Sequence, residues 1–160
     1  MKKTFVSTVI ALLLLIVLAS IVFAAPAAGE KEFLLKGSFD ATETQQVVFP
    51  TAFIDATGVG NATHLGLFTY RLQAELYLPT LTASASATLI AANGDMIFGV
   101  GSGQGTPTGT PGIVSIVETY SITGGTGRFA GATGNFTVER VINRATFASS
   151  GTISGTIVLP

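Results

Sequence analysis

Three alternating stretches put chemically capable side chains on faces otherwise made of Phe, Tyr, Ile and Val. His64 shares a two-residue repeat with Phe68 and Tyr70, Glu118 with Ile116 and Tyr120, and Arg140 with Phe136, Val138 and Ile142. Residues two apart in a strand lie on one face. If these faces turn toward a common interior, they make a lumen that holds His64, Phe68, Tyr70, Glu118, Tyr120 and Arg140 as candidate ligand contacts. A carboxylate and a guanidinium taken out of water together must pair, so Glu118 and Arg140 are expected to bond on neighbouring strands. Such a set suits the polar end of a ligand, or proton exchange with one. It suits equally an internal ion pair with no ligand, since buried pairs outside active sites are common. His64, at a strand start, need do no more than bond a nearby carbonyl.

Other chemistries have less to stand on. The chain has no cysteine and one histidine, so disulfides, thiolate metal sites and His-rich metal sites are excluded, and no cofactor or metal is expected. No G-x-S-x-G elbow occurs, and no catalytic residue is assigned. After residue 29 six basic residues stand against nine carboxylates, without the basic cluster that nucleic acid requires. Asn61-Ala-Thr63 and Asn135-Phe-Thr137 are glycosylation sequons that matter only in a eukaryotic secretory route.

The elements that must position these side chains read as strands. Polarity comes from hydroxyls, the breaks are glycine, and no helical periodicity follows residue 30. From Ala62 to Leu78 the alternation is nearly strict and ends at Pro79. Asn93-Gly94 suggests a two-residue type I′ hairpin, in which Ala91 faces Met96, Leu89 faces Phe98 and Ala87 faces Val100. Further strands are expected at Glu32–Asp40, Gln46–Asp55 (interrupted by Pro50, hence an edge or a bulge), Gly112–Thr123, Asn135–Arg144 and Phe147–Val158. Gln104–Gly112 reads as a long loop. Eight short amphipathic strands imply a single antiparallel up-and-down barrel over 32–160, with a two-sheet sandwich as the alternative.

The run Ser121-Ile-Thr-Gly-Gly-Thr-Gly-Arg-Phe129 touches on a dinucleotide fingerprint, but strands flank it where that motif needs a strand before and a helix after. It instead resembles the glycine-rich turn of the allene oxide cyclase and dirigent-like barrels, where a strand ending in Tyr and Ile runs into GGTG, a basic residue and Phe. Asn61-Ala-Thr-His-Leu-Gly66 is similar to a run in secreted bacterial proteins of this size. The resemblance implies an eight-stranded barrel with a cavity entered from one end, often trimeric, in relatives that steer or cyclise reactive small molecules or have no known activity. The cyclase's catalytic residues have no counterpart that can be placed here. Phe129 is expected to plug one barrel end.

Residues 1–24 have the layout of a secretory signal: Lys2 and Lys3, an apolar centre, and Val22-Phe23-Ala24 before the cleavage point. An uncleaved anchor is the alternative, and would be the chain's membrane contact. Residues 25–31 form a short linker. Either way the barrel is extracytoplasmic, secreted or periplasmic. The leading reading is a non-catalytic barrel that binds a small apolar molecule in its lumen. A cofactor-free isomerase or cyclase is the second. A structural or oligomer-forming surface protein, with Ile90 and Ile97 as outer contacts, is the third.

Overall fold

The computed structural model describes residues 29–160; the secretory segment read over 1–24 lies outside them. Eight strands run in order: β1 (Lys31–Val48), β2 (Thr51–Ala62), β3 (Gly66–Tyr77), β4 (Thr82–Ala91), β5 (Met96–Pro107), β6 (Ile113–Gly125), β7 (Thr133–Asn143) and β8 (Ala148–Leu159). Each pairs antiparallel with the next, and β8 pairs with β1, closing the sheet into an up-and-down barrel. Closure satisfies strand edges that a two-sheet sandwich would leave open.

Alternation sets the inside from the outside. Leu35, Phe39, Phe68, Tyr70, Leu72, Leu89, Tyr120, Phe136, Val138 and Ile153 are buried within the barrel. Lys36, Asp40, Asp55, Arg71, Glu75 and Glu139 are exposed on its outer face. That polarity is the reverse of a bilayer-spanning barrel, whose outer band is apolar. Large interior side chains are accommodated by small ones opposite. On β5 the inward positions beyond Ile97 are Gly99, Gly101, Gly103 and Gly105. A Cβ on Gly99 would lie 3.0 Å from the Phe136 ring, and one on Gly103 would lie 2.7 Å from Glu118 Cγ.

The two barrel ends differ. At one end the Gly127–Phe129 turn of 3-10 helix folds inward, and buried Phe129, Leu65 and Ala132 seal the lumen. The expected plug is present. Thr126 Oγ1 accepts from the Met96 amide (3.0 Å) and Asp95 accepts from the Arg128 amide (3.3 Å), tying the glycine turn to the β4–β5 hairpin. Gly127 has φ +57, and a Cβ there would collide with the Asp95 carboxylate. The opposite end, where β1–β2, β3–β4, β5–β6 and β7–β8 connect, is open.

Five expectations are corrected. The Asn93-Gly94 hairpin has a three-residue loop: Ala91 pairs with Asp95, Gly94 takes φ +89, and its amide bonds Ala91 O. This type I turn with a bulge shifts the register by one, so Ile90 faces Met96 and Leu89 faces Ile97. Ile97 is consequently fully buried rather than an outer contact, and Val100 is exposed. Pro50 lies in the β1–β2 turn, where its missing N–H takes nothing from the ladder. β1 therefore runs eight residues past Asp40, to Val48. β3 begins at Gly66, and β5 continues to Pro107, leaving only 108–112 as loop.

Candidate functional site

Midway between the ends, β1, β6 and β7 bring Glu43, Glu118 and Arg140 together inside the barrel. These are the buried charged side chains among the described residues. Arg140 Nε donates to Glu118 Oε2 and Nη2 to Glu118 Oε1, both at 3.1 Å. Its remaining terminal nitrogen, Nη1, donates to Glu43 Oε1. The side-on fork is the geometry in which a guanidinium binds a carboxylate most strongly. The register permits it: Ile116 pairs with Arg140 and Glu118 with Val138, so the two side chains meet diagonally across the inner face. Room for the arginine stem comes from Gly151 on β8, where a Cβ would lie 2.6 Å from Arg140 Cβ.

The electrostatics follow from one cation serving two acids in a dry interior. Burial opposes charge on Arg140, but Glu118, and after it Glu43, outweigh that and hold the guanidinium charged. For Glu43, burial is the larger influence and lifts its carboxyl above the usual carboxylate range; Arg140 pulls against the rise and Glu118 adds to it. A proton on Glu43 neutralises the group. Burial also pushes the phenols of Tyr70 and Tyr120 up, with the Glu118 charge contributing, so both stay neutral. Neither hydroxyl has a hydrogen-bond partner, nor does Ser149 Oγ.

From this group a narrow cavity of ≈ 50 Å³ runs to the open end. Glu43, Glu118 and Arg140 lie along it with Ile54, Leu76, Ala83, Val114, Ile116 and Ile142, and Arg144 stands at the rim. Most of the wall is hydrocarbon. All three guanidinium nitrogens of Arg140 are engaged and one Glu43 oxygen is held by it. The polar groups left to an entering molecule are therefore the second Glu43 oxygen and the amide of Gln45, which is half-buried and lines the same cavity.

The six candidates read from sequence separate into three groups. Glu118 and Arg140 pair as expected and line the cavity. Phe68, Tyr70 and Tyr120 are inside but deeper, in the packed half; Tyr120 stacks on Phe136 (centroids 4.8 Å, 18°) and Tyr70 tilts against Phe39 (4.7 Å). His64 is not in the lumen. It occupies the β2–β3 turn at the sealed end, exposed, with φ +63 and its ring 4.9 Å from Phe33. The alternation through His64, Gly66 and Phe68 is broken by the turn, so the shared face stops short of it. Glu43 lies beyond the strand end expected at Asp40, on the part of β1 that continues to Val48. Phe39-x-Ala41-x-Glu43-x-Gln45 continues the inward face of Leu35, and that repeat was the available signal.

Fold and site together define an eight-stranded up-and-down barrel with one sealed end and an internal Glu–Arg–Glu group below an apolar cavity. A solved structure with this fold is that of the pterocarpan synthase dirigent protein GePTS1. The two superpose with a TM-score of 0.59 at 12% sequence identity, over 84% of this chain and 94% of that one. The dirigent-like barrel is thereby shown as the fold. No protein-family model matches the sequence. No curated protein matches it either.

Proposed function

We propose that this protein is an exported, non-catalytic barrel that takes up a small, mainly apolar molecule through its open end. One observation carries the reading: an apolar cavity opens to solvent and ends on a carboxyl rather than on packed hydrocarbon. Burying hydrocarbon gives about 25 cal/mol per Å² of affinity before the costs of ordering. The polar group selects within that class. An ionised Glu43 accepts from a hydroxyl or amine, and a protonated one donates to a carbonyl. An anion at the cavity floor meets a guanidinium already shared by two carboxylates.

Native mass spectrometry of the exported protein mixed with lipid extract tests this. A small molecule should be retained by the wild type and lost in Ala83→Phe, which fills the cavity. A bare wild-type barrel under the same conditions would sink the proposal. The same spectrum gives the oligomeric state and, from the mass, whether the chain begins near Ala25 after loss of its signal.

A second reading, a cofactor-free isomerase or cyclase, is favoured by the position of Glu43, a carboxyl that lines the cavity and whose pKa burial raises. Turnover separates the two: Glu43→Gln should abolish a reaction while leaving retention of the ligand intact.

A further inference from the structure

The turns at the two ends of the barrel differ in chemistry. The four at the open end are Phe49-Pro50, Leu78-Pro-Thr-Leu81, Thr108-Gly-Thr-Pro-Gly112 and Arg144-Ala-Thr-Phe147, with Arg144 as their one charge. At the sealed end stand Lys31, Glu32, Asp95 and Arg128. Phe49 is 80% exposed, flanked by Val47 at 57% and Val48 at 58%. Tyr77 and Phe147, on the same rim, are also exposed.

The register makes this apolar tip protrude. β1 last pairs with β8 at Thr42–Ala148, whereas it pairs with β2 through Val48–Thr51. From Thr44 onward β1 has a strand partner on one side only, so Val47–Pro50 projects past the β7–β8 turn. Natural proteins blunt free edges with charge, and Thr44-Gln-Gln-Val-Val48 has none. A projecting aromatic among valines, with a lone arginine and no acid in the neighbouring turns, matches the headgroup region of a lipid surface: the ring enters hydrocarbon and the guanidinium meets phosphate. A narrow tip offers a protein partner little of the area that a stable interface buries.

We infer that the open rim docks on a lipid surface bearing anionic headgroups, with Phe49 inserted and Arg144 against phosphate, and that this sets the cavity mouth against the headgroup region. The docking rests on rim residues alone, and stands or falls separately from ligand uptake in the lumen. It is also distinct from any contact made by the N-terminal segment, because β1 enters the barrel at the opposite end.

The chain contains no tryptophan, so Phe49→Trp places a sole indole at the tip, excited selectively over the tyrosines at the red edge of its absorption, and Val100→Trp places one on the outer wall, at a site 52% exposed. With phosphatidylcholine–phosphatidylglycerol vesicles, the tip emitter should shift to the blue and be quenched by brominated acyl chains, while the wall emitter stays unchanged. Phe49→Ser should weaken partition by about tenfold or more, from the loss of one aromatic side chain's burial. Arg144→Gln should weaken it about fivefold, and only with the anionic lipid present. No shift at position 49 would overturn the inference, even if the protein sedimented with the vesicles through its other end. So would equal shifts at both positions. A shift without vesicles that grew with protein concentration would assign the tip to a second copy of the chain and overturn it as well.

Discussion

Arg140 holds two carboxylates from strands that are far apart in sequence, and its loss should be costly. Arg140→Met leaves Glu43 and Glu118 facing each other in a dry interior, and should lower the unfolding free energy by roughly 3–5 kcal/mol in urea titrations. Replacing all three together, with Glu43→Leu and Glu118→Leu, should restore most of that. Strictly additive costs would show that the three are not coupled. Glu43 also makes a pH prediction. The folded barrel keeps its proton to higher pH than the unfolded chain does, because burial raises the carboxyl. Its contribution is therefore complete below the ordinary value of 4.5 and is lost as pH rises through the raised value. Melting curves of Glu43→Gln, which cannot ionise, should lack that decline; a profile identical to the wild type would place the proton elsewhere. Alternation alone made Glu118 and Arg140 legible, since both sit mid-strand among large apolar neighbours. It failed for His64, where a tight turn resets the faces, and for Glu43, where a run of Thr and Gln disguised a continuing strand.

At the scale of elements, strand number and order were legible because each strand has its own period and its own glycine or proline boundary. Registers were harder to read. Asn-Gly supports two hairpin geometries that differ by one residue, and both put apolar pairs across the strands. What separates them is the interior. Only the three-residue loop turns Gly99, Gly101 and Gly103 inward, where Phe136, Tyr120 and Glu118 need the space. This lane of glycine is a packing device and should tolerate little. A Cβ on Gly101 would collide with the Thr119 carbonyl of the neighbouring strand. Gly101→Ala should therefore force β5 from β6 and destabilise the fold by about 1–3 kcal/mol. Hydrogen exchange at β5 and β6 amides should quicken more than at β2 and β3. Uniform acceleration would mean that the strain spreads through the whole sheet.

For the whole molecule, the decisive asymmetry is between a sealed end and an open one. The glycine turn closes the first with Phe129, a part that was legible from GGTGRF. A cavity entered from one end followed only from the resemblance carried by that turn; its lining was not legible, because the walls come from alternate positions on most of the strands and no local run of sequence marks them. The same architecture has a practical consequence for handling the protein. β1 begins beside the finish of β8, with Lys31 opposite Leu159, and both lie at the sealed end. A tag, a fluorescent label or a second domain fused directly before Lys31 or after Leu159 would thus hang from the base of the vessel and leave its mouth unobstructed. With Lys31 and Leu159 joined by a few residues, the barrel could be reopened in the 108–112 loop, giving a permuted barrel whose new ends flank the mouth instead. Attaching it to a surface by one pair of ends or the other would then present the cavity outward or cover it.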